Sequence, residues 1–581
     1  MIKIVDDKKM KLLSFLYVGL VLFHAQEVRA YGVNGGIECA ACTIVTGIFG
    51  QVAEINNASV SNITLRICDH LLWPSAENVC REAIQTLEPL LYLIVELEGI
   101  TADTICYGLD ICHQDPGEEV CHLFPAPTQN TFKSGIKTVR EKVKPLYDKW
   151  YGPNHKGTHS LCEIPGLKEF CIYIAKTFST MAPAFDLDHD KFSSLETWRG
   201  SNWRGKDCSD LNPKIYPGHL PHYADVNYDG NCNGIWGLDK ETGIPWETKL
   251  CGSSKSRGIL MFGDSVGAHF HFPLVWFSPK LISKDTFFRN ATRVLLDELD
   301  WPQYSFSTGF KNVTDPGLIQ GQVDSVYLRM RKRNLCNHRD YQNVCRNGAT
   351  SFDLVNYVGN IARGAEDKPL TILLGVFGND VCNRFPNTLS NMTSAKQFYK
   401  NIKGIIDTLE SSLPPESHII LLGLVNGSFI YDTLAERLHP LGEYHGDVKY
   451  KDVFKWFECM QITPCRGWLS DQKDLRDATT KRALELTHMM KYIASSYVSK
   501  KISVSFVPNP LSEVIQRWTA KGGKIWQLFE AVDGFHPDQI AQPIIADVLW
   551  KNIKLTAPES IGPINPFNEE IERIFGDQGG H

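Results

Sequence analysis

A short apolar run that ends in Gly-Asp-Ser constrains the fold of this chain more than any other feature. Residues 258–262 predict a buried strand, and the turn Gly263-Asp264-Ser265 follows it directly. A serine at the carboxyl end of such a strand lies where open α/β sheets place their reactive groups. Because a serine becomes a nucleophile only when a base takes its proton, the chain must also supply a histidine, an acid and oxyanion donors.

A turn near the carboxyl terminus supplies the histidine and the acid. Asp533 lies three residues before His536, in a segment with Gly between them and Pro directly after. At that spacing the Asp533 carboxylate can reach Nδ1 of His536, which fixes the ring tautomer and leaves Nε2 to accept a serine proton. The two residues are therefore predicted to act as base and orienting acid.

Two further blocks predict oxyanion donors. The apolar run 373–377 ends in Gly-Asn-Asp, where the Asn379 side-chain amide can donate to an oxyanion. The Arg-Asn-Gly block ends in Gly348, whose N–H can approach a substrate because no Cβ stands in the way.

These four blocks, in this order, resemble those of the SGNH, or GDSL-type, hydrolases. The resemblance implies a nucleophile at Ser265, a base at His536 and an orienting acid at Asp533. It also implies an oxyanion site formed by the N–H groups of Ser265 and Gly348 and by the amide of Asn379.

From residue 251 onward, candidate strands and helices alternate. The strand candidates are 258–262, 325–328, 371–377, 418–424 and 502–507, and the helix candidates include 395–411 and 479–499. Such alternation predicts an α/β fold with a parallel sheet and helices on both faces. The hydrolase resemblance implies the flavodoxin-like form of this sheet for residues 251–581.

A stretch with helical periodicity near the amino terminus contains six cysteines. They are Cys39, Cys42, Cys68, Cys80, Cys106 and Cys112. Six cysteines allow fifteen pairings, and spacing alone does not choose among them. The stretch, residues 35–121, resembles an all-α saposin-type module, which implies the pairs Cys39–Cys112, Cys42–Cys106 and Cys68–Cys80. The resemblance favours a lipid-binding role, and the alternative is that the apolar helix faces only form a disulfide-bonded core.

The first thirty residues and the cysteine content predict secretion. Residues 1–30 combine a basic segment with an apolar run of about a dozen residues, as in a signal peptide. Seventeen cysteines favour an oxidising compartment. A net charge of −6 gives no general attraction to nucleic acid. We therefore expect a protein that is secreted or delivered to lysosomal or endosomal vesicles.

Six Asn-x-Ser/Thr acceptors agree with secretion, although each sequon by itself is a common accident. The acceptors are Asn57, Asn62, Asn290, Asn312, Asn391 and Asn426.

Residues 122–161 are predicted to be a linker. The segment begins with prolines, continues through a lysine-rich run and ends in a polar tip, which is the kind of site that proteases nick. Cleavage near residues 150–160 would give a small and a large chain, and Cys121 could hold them together. The alternative is an uncut surface loop.

Residues 162–250 contain two runs of acidic and amide side chains. These are Asp186, Asp188, Asp190, Asp207, Asp210, Asp225, Asn227, Asp229, Asn231 and Asn233. Oxygen donors on alternate residues predict structural Ca²⁺ binding. The second run departs from an EF-hand, because Trp236 stands where the bidentate Glu belongs. The alternative is a solvated, turn-rich loop, and no organic cofactor is expected.

Ten cysteines outside the six are further disulfide candidates. They are Cys121, Cys162, Cys171, Cys208, Cys232, Cys251, Cys336, Cys382, Cys459 and Cys465. Cys208 and Cys232 are expected to pair across the acidic loops, and the other pairings stay open. Cys345 is left over and is predicted to be a buried, inert thiol.

A saposin-like module, acidic loops and an SGNH hydrolase in one secreted chain resemble a family of two-chain, disulfide-linked lipid esterases. This resemblance implies removal of the acyloxyacyl-linked fatty acids from lipid A of bacterial lipopolysaccharide, with membrane or micellar lipids as further partners. One alternative is a broader lipid esterase, such as a phospholipase. The other is a lipid-binding or transfer protein, which the intact set of five site residues disfavours.

Overall fold

The computed structural model of the protein describes residues 32–56, 100–151, 181–282, 294, 297–314 and 317–581. Its centre is a sheet of five parallel strands with the order β2-β1-β3-β4-β5. The strands are β1 Gly258–Gly263, β2 Tyr341–Cys345, β3 Leu370–Gly375, β4 Ser417–Leu422 and β5 Ile502–Val507. This is the flavodoxin-like order, which confirms the predicted fold class.

Helices precede, separate and cover these strands. In chain order the described α-helices are α1 Gly36–Asn56, α2 Ala102–Gly108, α3 Gln129–Tyr151, α4 Trp246–Cys251, α5 Ser265–Ala268, α6 Val326–Arg333, α7 Ser351–Tyr357, α8 Ala395–Ser412, α9 Ile430–Leu434, α10 Tyr450–Cys459, α11 Arg466–Leu469, α12 Lys473–Ser496, α13 Leu511–Ala520, α14 Gln542–Thr556 and α15 Asn568–Phe575. Short 3-10 segments join several of them.

The sheet is covered on both faces. Because successive side chains of a strand point to opposite faces, Leu260 and Phe262 of β1 pack in a layer with α7, α8 and α12. Ile259 and Met261 pack in the opposite layer, with α6, α13 and α14. Every residue of β1 to β4 is buried, as expected for parallel strands between two helical layers.

The prediction of a strand over residues 325–328 is wrong. This segment begins α6, because the Ser325 side chain accepts a hydrogen bond from the N–H of Leu328 at 3.0 Å and caps the helix. The strand beside β1 is instead β2, whose polar residues Gln342 and Asn343 conceal it in the sequence. Their side-chain amides donate to the carbonyls of Ala362 and Gly267, each at 2.8 Å.

Loops from the acidic region cover the outer edge of β2. The N–H of Asn343 donates to the carbonyl of Trp203 at 2.7 Å, and the N–H of Gly205 donates to the carbonyl of Tyr341 at 2.8 Å. These bonds occupy edge groups that would otherwise be free to pair with another strand.

Disulfide-bonded helices form the described part of the N-terminal module. Bonds join Cys39 to Cys112 and Cys42 to Cys106, the pairs that the saposin resemblance implies. Helix α1 is long and apolar enough to cross a bilayer by length and composition alone, and about half of it is buried inside the protein. These cross-links make α1 a core helix of the module.

The prediction of a linker over residues 122–161 is wrong for residues 129–151, which form α3. Val139 and Val143 on one face of α3 pack against Ile105 and Leu109 of the module. The apolar residues recur among lysines at helical spacing, so the basic run is the outer face of an amphipathic helix.

The module is joined to the rest of the protein by a disulfide and by packing. Cys121 is bonded to Cys459 at the end of α10. Gln51 of α1 donates from its side-chain amide to the carbonyl of Leu441 at 2.9 Å. Apolar residues of both parts share one buried cluster, so the module and the sheet domain form one packed unit.

Three more disulfides lie within the sheet domain and its loops: Cys208–Cys232, Cys251–Cys336 and Cys382–Cys465. Cys345 is a free, buried thiol. Several predictions fall outside the described residues, namely the signal peptide 1–30, Cys68, Cys80, Cys162, Cys171, Asn57, Asn62, Asn290 and nearly all of the cleavage segment 150–160.

We expect a chain cut between residues 152 and 160 to stay in one piece until it is reduced. Every other described disulfide joins two cysteines on the same side of that cut, so Cys121–Cys459 is the described link between the products. With an inserted protease site, the two products should separate on a non-reducing gel only in Cys459→Ser. Cys345→Ser is the matched control, and separation of its products without reduction would contradict the expectation.

Candidate active site

Ser265 is the first residue of α5 and directly follows β1. Asp264 caps this helix, because its carboxylate accepts the N–H of Val266 at 3.1 Å. The other carboxylate oxygen accepts the N–H of Phe377 at 2.8 Å, just past the end of β3. Burial raises the pKa of Asp264 to about 6. One buried side chain therefore fixes the serine turn and ties the carboxyl ends of two strands together.

The structure brings Ser265, His536 and Asp533 together. Oγ of Ser265 lies 2.7 Å from Nε2 of His536, and Nδ1 of His536 lies 2.5 Å from Oδ2 of Asp533. Oδ1 of Asp533 accepts the N–H of His536 at 3.1 Å. Each side chain is less than a tenth exposed. A carboxylate only accepts, so the Nδ1 proton points to Asp533 and unprotonated Nε2 faces the serine hydroxyl.

The segment that holds Asp533 and His536, residues 529–538, contains no regular secondary structure and is held by side chains from elsewhere. The hydroxyl of Tyr450 donates to the carbonyl of Ala531 at 2.6 Å. Nε2 of His439 lies 2.7 Å from the carbonyl of Val532 and donates to it. Neither residue was identified from the sequence, since Tyr450 lies 81 residues and His439 93 residues from the carbonyl that it contacts.

Two aromatic rings enclose the imidazole of His536. The ring of Phe270 lies 4.9 Å from it, and the ring of Phe535 lies 5.2 Å away. Phe270 lies between His269 and His271, and all three follow Ser265 within six residues. The two histidines are buried, and their rings lie 6.3 Å apart.

The two predicted oxyanion blocks meet through a hydrogen bond. The side-chain amide of Asn379 donates to the carbonyl of Ala349 at 3.0 Å, one residue after Gly348. Gly348 has a φ of +74° and no heavy atom within 4 Å of the position of a Cβ, so the space on that side of its backbone is open. The N–H of Arg346 donates to the carbonyl of Gly263 at 3.1 Å, which ties this block to the end of β1.

An apolar pocket opens beside Ser265 and Asn379. Its wall includes Phe306, Phe377, Val425, Ile430, Trp468 and Leu549. Most ligand pockets are lined in this way, by apolar side chains with a few polar groups. The arrangement can hold a hydrocarbon chain whose carbonyl end lies at the serine.

The first acidic run forms a compact cluster. Ligand atoms of Asp186, Asp188 and Asp190 lie within 4.8 Å of one another. One oxygen each of Asp188, Asp190 and Asp207 is buried without a hydrogen-bond partner. Burial, and then neighbouring carboxylates, raise the pKa of Asp190 to about 7. Asp210 lies beside Asp207, and its own carboxylate accepts the hydroxyl of Ser194. Oxygen-only donors that lack partners fit a hard cation such as Ca²⁺.

The second acidic run is arranged differently. Asp225 is buried with both oxygens unpartnered, whereas the Asp229 carboxylate accepts the N–H groups of Asn233 and Gly234, at 3.1 and 2.7 Å. The amide of Asn231 donates to Glu247 at 3.0 Å.

Glu247, on α4, is a buried carboxylate that sequence reasoning missed, because it follows the predicted run in the next element. Asn233 also donates to it, at 2.9 Å. Asn227 is exposed. Few oxygens of this run remain for a cation apart from those of Asp225.

The described glycosylation acceptors Asn312, Asn391 and Asn426 are all exposed. Cys208 and Cys232 are bonded to each other as predicted, so their sulfur atoms are not available to a metal.

Comparison with known families bears out both resemblances. A family model of a saposin-like domain matches residues 38–172, and a model of the GDSL-like lipase/acylhydrolases matches residues 259–549. The first match continues past residue 121, so the module was predicted to end too early. It also includes α3, in agreement with the packing of that helix.

Three curated proteins, each named acyloxyacyl hydrolase, match nearly the whole chain. The one from Mus musculus is 38% identical and covers 98% of both chains. The one from Oryctolagus cuniculus is 39% identical and covers 97% of this chain and 98% of its own. The one from Homo sapiens is 38% identical and covers 94% of each. The chain is thus a hydrolase, and it belongs to the acyloxyacyl hydrolase family.

Proposed function

We propose that this protein is a serine esterase that releases the secondary, acyloxyacyl-linked fatty acids from lipid A of bacterial lipopolysaccharide and so detoxifies it. The observation that carries the proposal is the hydrogen-bonded series Ser265–His536–Asp533 beside an apolar pocket. The name of the three relatives supports this choice of substrate.

The proposed reaction proceeds through an acyl-enzyme. Nε2 of His536 takes the hydroxyl proton as Oγ of Ser265 attacks the ester carbonyl, and Asp533 stabilises the imidazolium that forms. The N–H groups of Ser265 and Gly348 and the amide of Asn379 donate to the developing oxyanion. His536 then gives its proton to the leaving alcohol, and a water molecule, activated by the same base, releases the fatty acid.

The N-terminal module is proposed to extract or shelter the lipid during this reaction. An acyl chain that leaves a bilayer or micelle loses roughly 0.8 kcal/mol of stabilisation for each exposed CH₂, so a covered route lowers the barrier to transfer. The shared buried cluster and the Cys121–Cys459 bond support a module that acts next to the sheet domain.

We also propose that the protein is secreted or delivered to vesicles, that it is glycosylated, and that proteolysis converts it to a two-chain form. Six described disulfides support an oxidising compartment, and the exposure of Asn312, Asn391 and Asn426 supports their use as acceptors. After cleavage, the Cys121–Cys459 bond would join the small and large chains.

Calcium is proposed to bind the first acidic cluster in a structural role. Asp188 and Asp190 each have an unpartnered, buried oxygen, and an ion would satisfy these oxygens and neutralise the repulsion among the carboxylates, which include the neighbouring Asp207. The second run, from Asp225 to Asn233, is a weaker candidate, because most of its oxygens accept internal hydrogen bonds.

We expect Ser265→Ala to abolish fatty-acid release from purified lipopolysaccharide, measured by mass spectrometry, because no other group can form the acyl-enzyme. Asn379→Ala should lose on the order of 10²–10³ in rate, as is typical when one oxyanion donor is removed. Ser495→Ala, at an exposed serine of α12, is the matched control.

Phosphatidylcholine is the comparison substrate in the same assay. Release from phosphatidylcholine alone would replace the proposed substrate by a glycerophospholipid. Release from neither lipid by the wild-type protein would favour a lipid-binding or transfer protein.

Narrowing the apolar pocket should shift acyl-chain preference. Val425→Phe adds volume to the pocket wall, so kcat/KM for p-nitrophenyl laurate should fall about tenfold relative to the acetate, since two methylene groups lose burial worth roughly 0.8 kcal/mol each. Val498→Phe is the matched control, because Val498 is 92% exposed. If the ratio of the kcat/KM values for laurate and acetate were unchanged in Val425→Phe, the acyl chain would not bind in this pocket.

Stabilisation by calcium should increase with pH. Burial and neighbouring carboxylates raise the pKa of Asp190 and Asp207, so these groups keep protons in the folded state that the unfolded chain has released. In chelator, the free energy of unfolding should therefore fall as the pH rises from about 4 to about 7. Calcium should raise the melting temperature more at pH 7.5 than at pH 5.

Asp190→Asn should weaken this calcium effect, whereas Asp407→Asn, on the exposed face of α8, should leave it intact. The proposed calcium site would be contradicted if calcium raised the melting temperature equally at both pH values, or equally in both variants.

A further inference from the structure

Glu530 is a completely buried carboxyl group next to the proposed triad, and the mechanism above does not use it. Its side chain has no exposed surface. One oxygen, Oε2, accepts the N–H of Val532 at 2.8 Å and the N–H of Asp533 at 3.0 Å. The backbone N–H of Glu530 donates to the carbonyl of His536 at 2.8 Å. Glu530 therefore contacts the backbone of both the orienting acid and the base.

The other oxygen of Glu530 faces a buried histidine from the segment after the nucleophile. Oε1 lies 3.3 Å from Nδ1 of His271. Both atoms are buried and neither makes a hydrogen bond to a described residue, so this close contact is the partner available to each. Nε2 of His271 lies 3.1 Å from the carbonyl of Leu318. A carbonyl only accepts, so Nε2 carries a proton, and one further proton placed between Nδ1 and Oε1 would join these two atoms.

The surroundings decide where that shared proton resides. The ionisable groups that face the pair include Asp533, Asp538, at 3.7 Å from Nδ1 of His271, Tyr450, and His269, whose ring lies 6.3 Å from that of His271. Burial, and then the charges of Asp533 and Asp538, raise the pKa of Glu530 well above its ordinary value. Burial lowers the pKa of His271. Both directions favour a neutral acid beside a neutral imidazole over an ion pair.

A neutral Glu530 is also what the proposed mechanism requires. Asp533 must be ionised to stabilise the imidazolium of His536, and a second buried carboxylate charge beside it would make that ionisation costly. As an acid, Glu530 donates through one oxygen and accepts through the other. It can then hold the loop without adding a charge.

We propose that Glu530 is a positioning residue for the triad: it keeps its proton, donates it to Nδ1 of His271, and accepts the N–H groups of Val532 and Asp533. In this way Glu530 and His271 together hold Asp533 in contact with His536, and Glu530 adds no negative charge of its own beside that pair. The inference rests on the proposed serine mechanism.

Two substitutions at position 530 separate the hydrogen bonds from the charge. The amide of Glu530→Gln has the shape and the donor–acceptor pattern of the neutral acid, so kcat should stay within about threefold of wild type, and the acidic limb of the kcat/KM profile should not move. Glu530→Ala removes every hydrogen bond of the carboxyl, so kcat should fall on the order of 10–100-fold. KM should hardly change, because Glu530 does not line the apolar pocket. Glu572→Gln, on the exposed face of α15, is the control.

Three results would overturn the inference: wild-type kcat in Glu530→Ala, a kcat in Glu530→Gln as low as in Glu530→Ala, or an acidic limb that moves by more than about half a pH unit in Glu530→Gln. If Glu530→Ala does not fold, judged by thermal unfolding, the pH profile of Glu530→Gln alone decides. Ser265→Ala is measured alongside. Its retention of activity would reject the serine mechanism itself, whereas its loss, together with any of the three results, would reject only the role of Glu530.

Discussion

The site depends on one hydrogen bond, from Oγ of Ser265 to Nε2 of His536, between residues 271 positions apart in the chain. Two kinds of structure bring these atoms together. Ser265 is placed by the sheet, since β1 lies between β2 and β3, and Asp264 binds the end of β3. His536 is placed by an irregular segment whose ends are joined by one isolated antiparallel bridge, Phe529–Pro537, and by the hydrogen bond from the N–H of Glu530 to the carbonyl of His536. The position of His536 relative to Ser265 therefore depends on the contacts that hold this segment.

Side chains and a neighbouring segment provide this support. His439 donates to the carbonyl of Val532, and its Nδ1 accepts the N–H of Leu441 at 3.2 Å. The carbonyl of Leu441 in turn accepts the amide of Gln51 from the N-terminal module. The segment that contacts the N-terminal module, residues 439–441, is thus also the segment that holds the loop of His536. Within the segment, the carboxyl group of Glu530 accepts the N–H groups of Val532 and Asp533.

The fold was predictable where sequence periodicity and burial coincide. The apolar strands β1, β3 and β4 lie within a few residues of their predicted bounds, since parallel strands buried on both faces are continuous apolar runs. Strand β2 escaped prediction because Gln342 and Asn343 are buried with their amides paired. Residues 325–328 were mistaken for a strand because a run of four residues is too short to show whether its periodicity is that of a helix or of a strand. Likewise, the lysines of α3 concealed its apolar face.

By itself, the sequence determined the family of the chain and indicated the residues of the candidate site. Ser265, Asp533, His536 and Asn379 stand in short blocks whose local turns are set by neighbouring residues. Only the tertiary structure decided what supports those blocks. Glu530 bonds to its near neighbours, but its partner His271 belongs to a distant segment, and long-range pairs leave no local pattern. The protonation of this pair likewise depends on complete burial, which only the assembled protein provides.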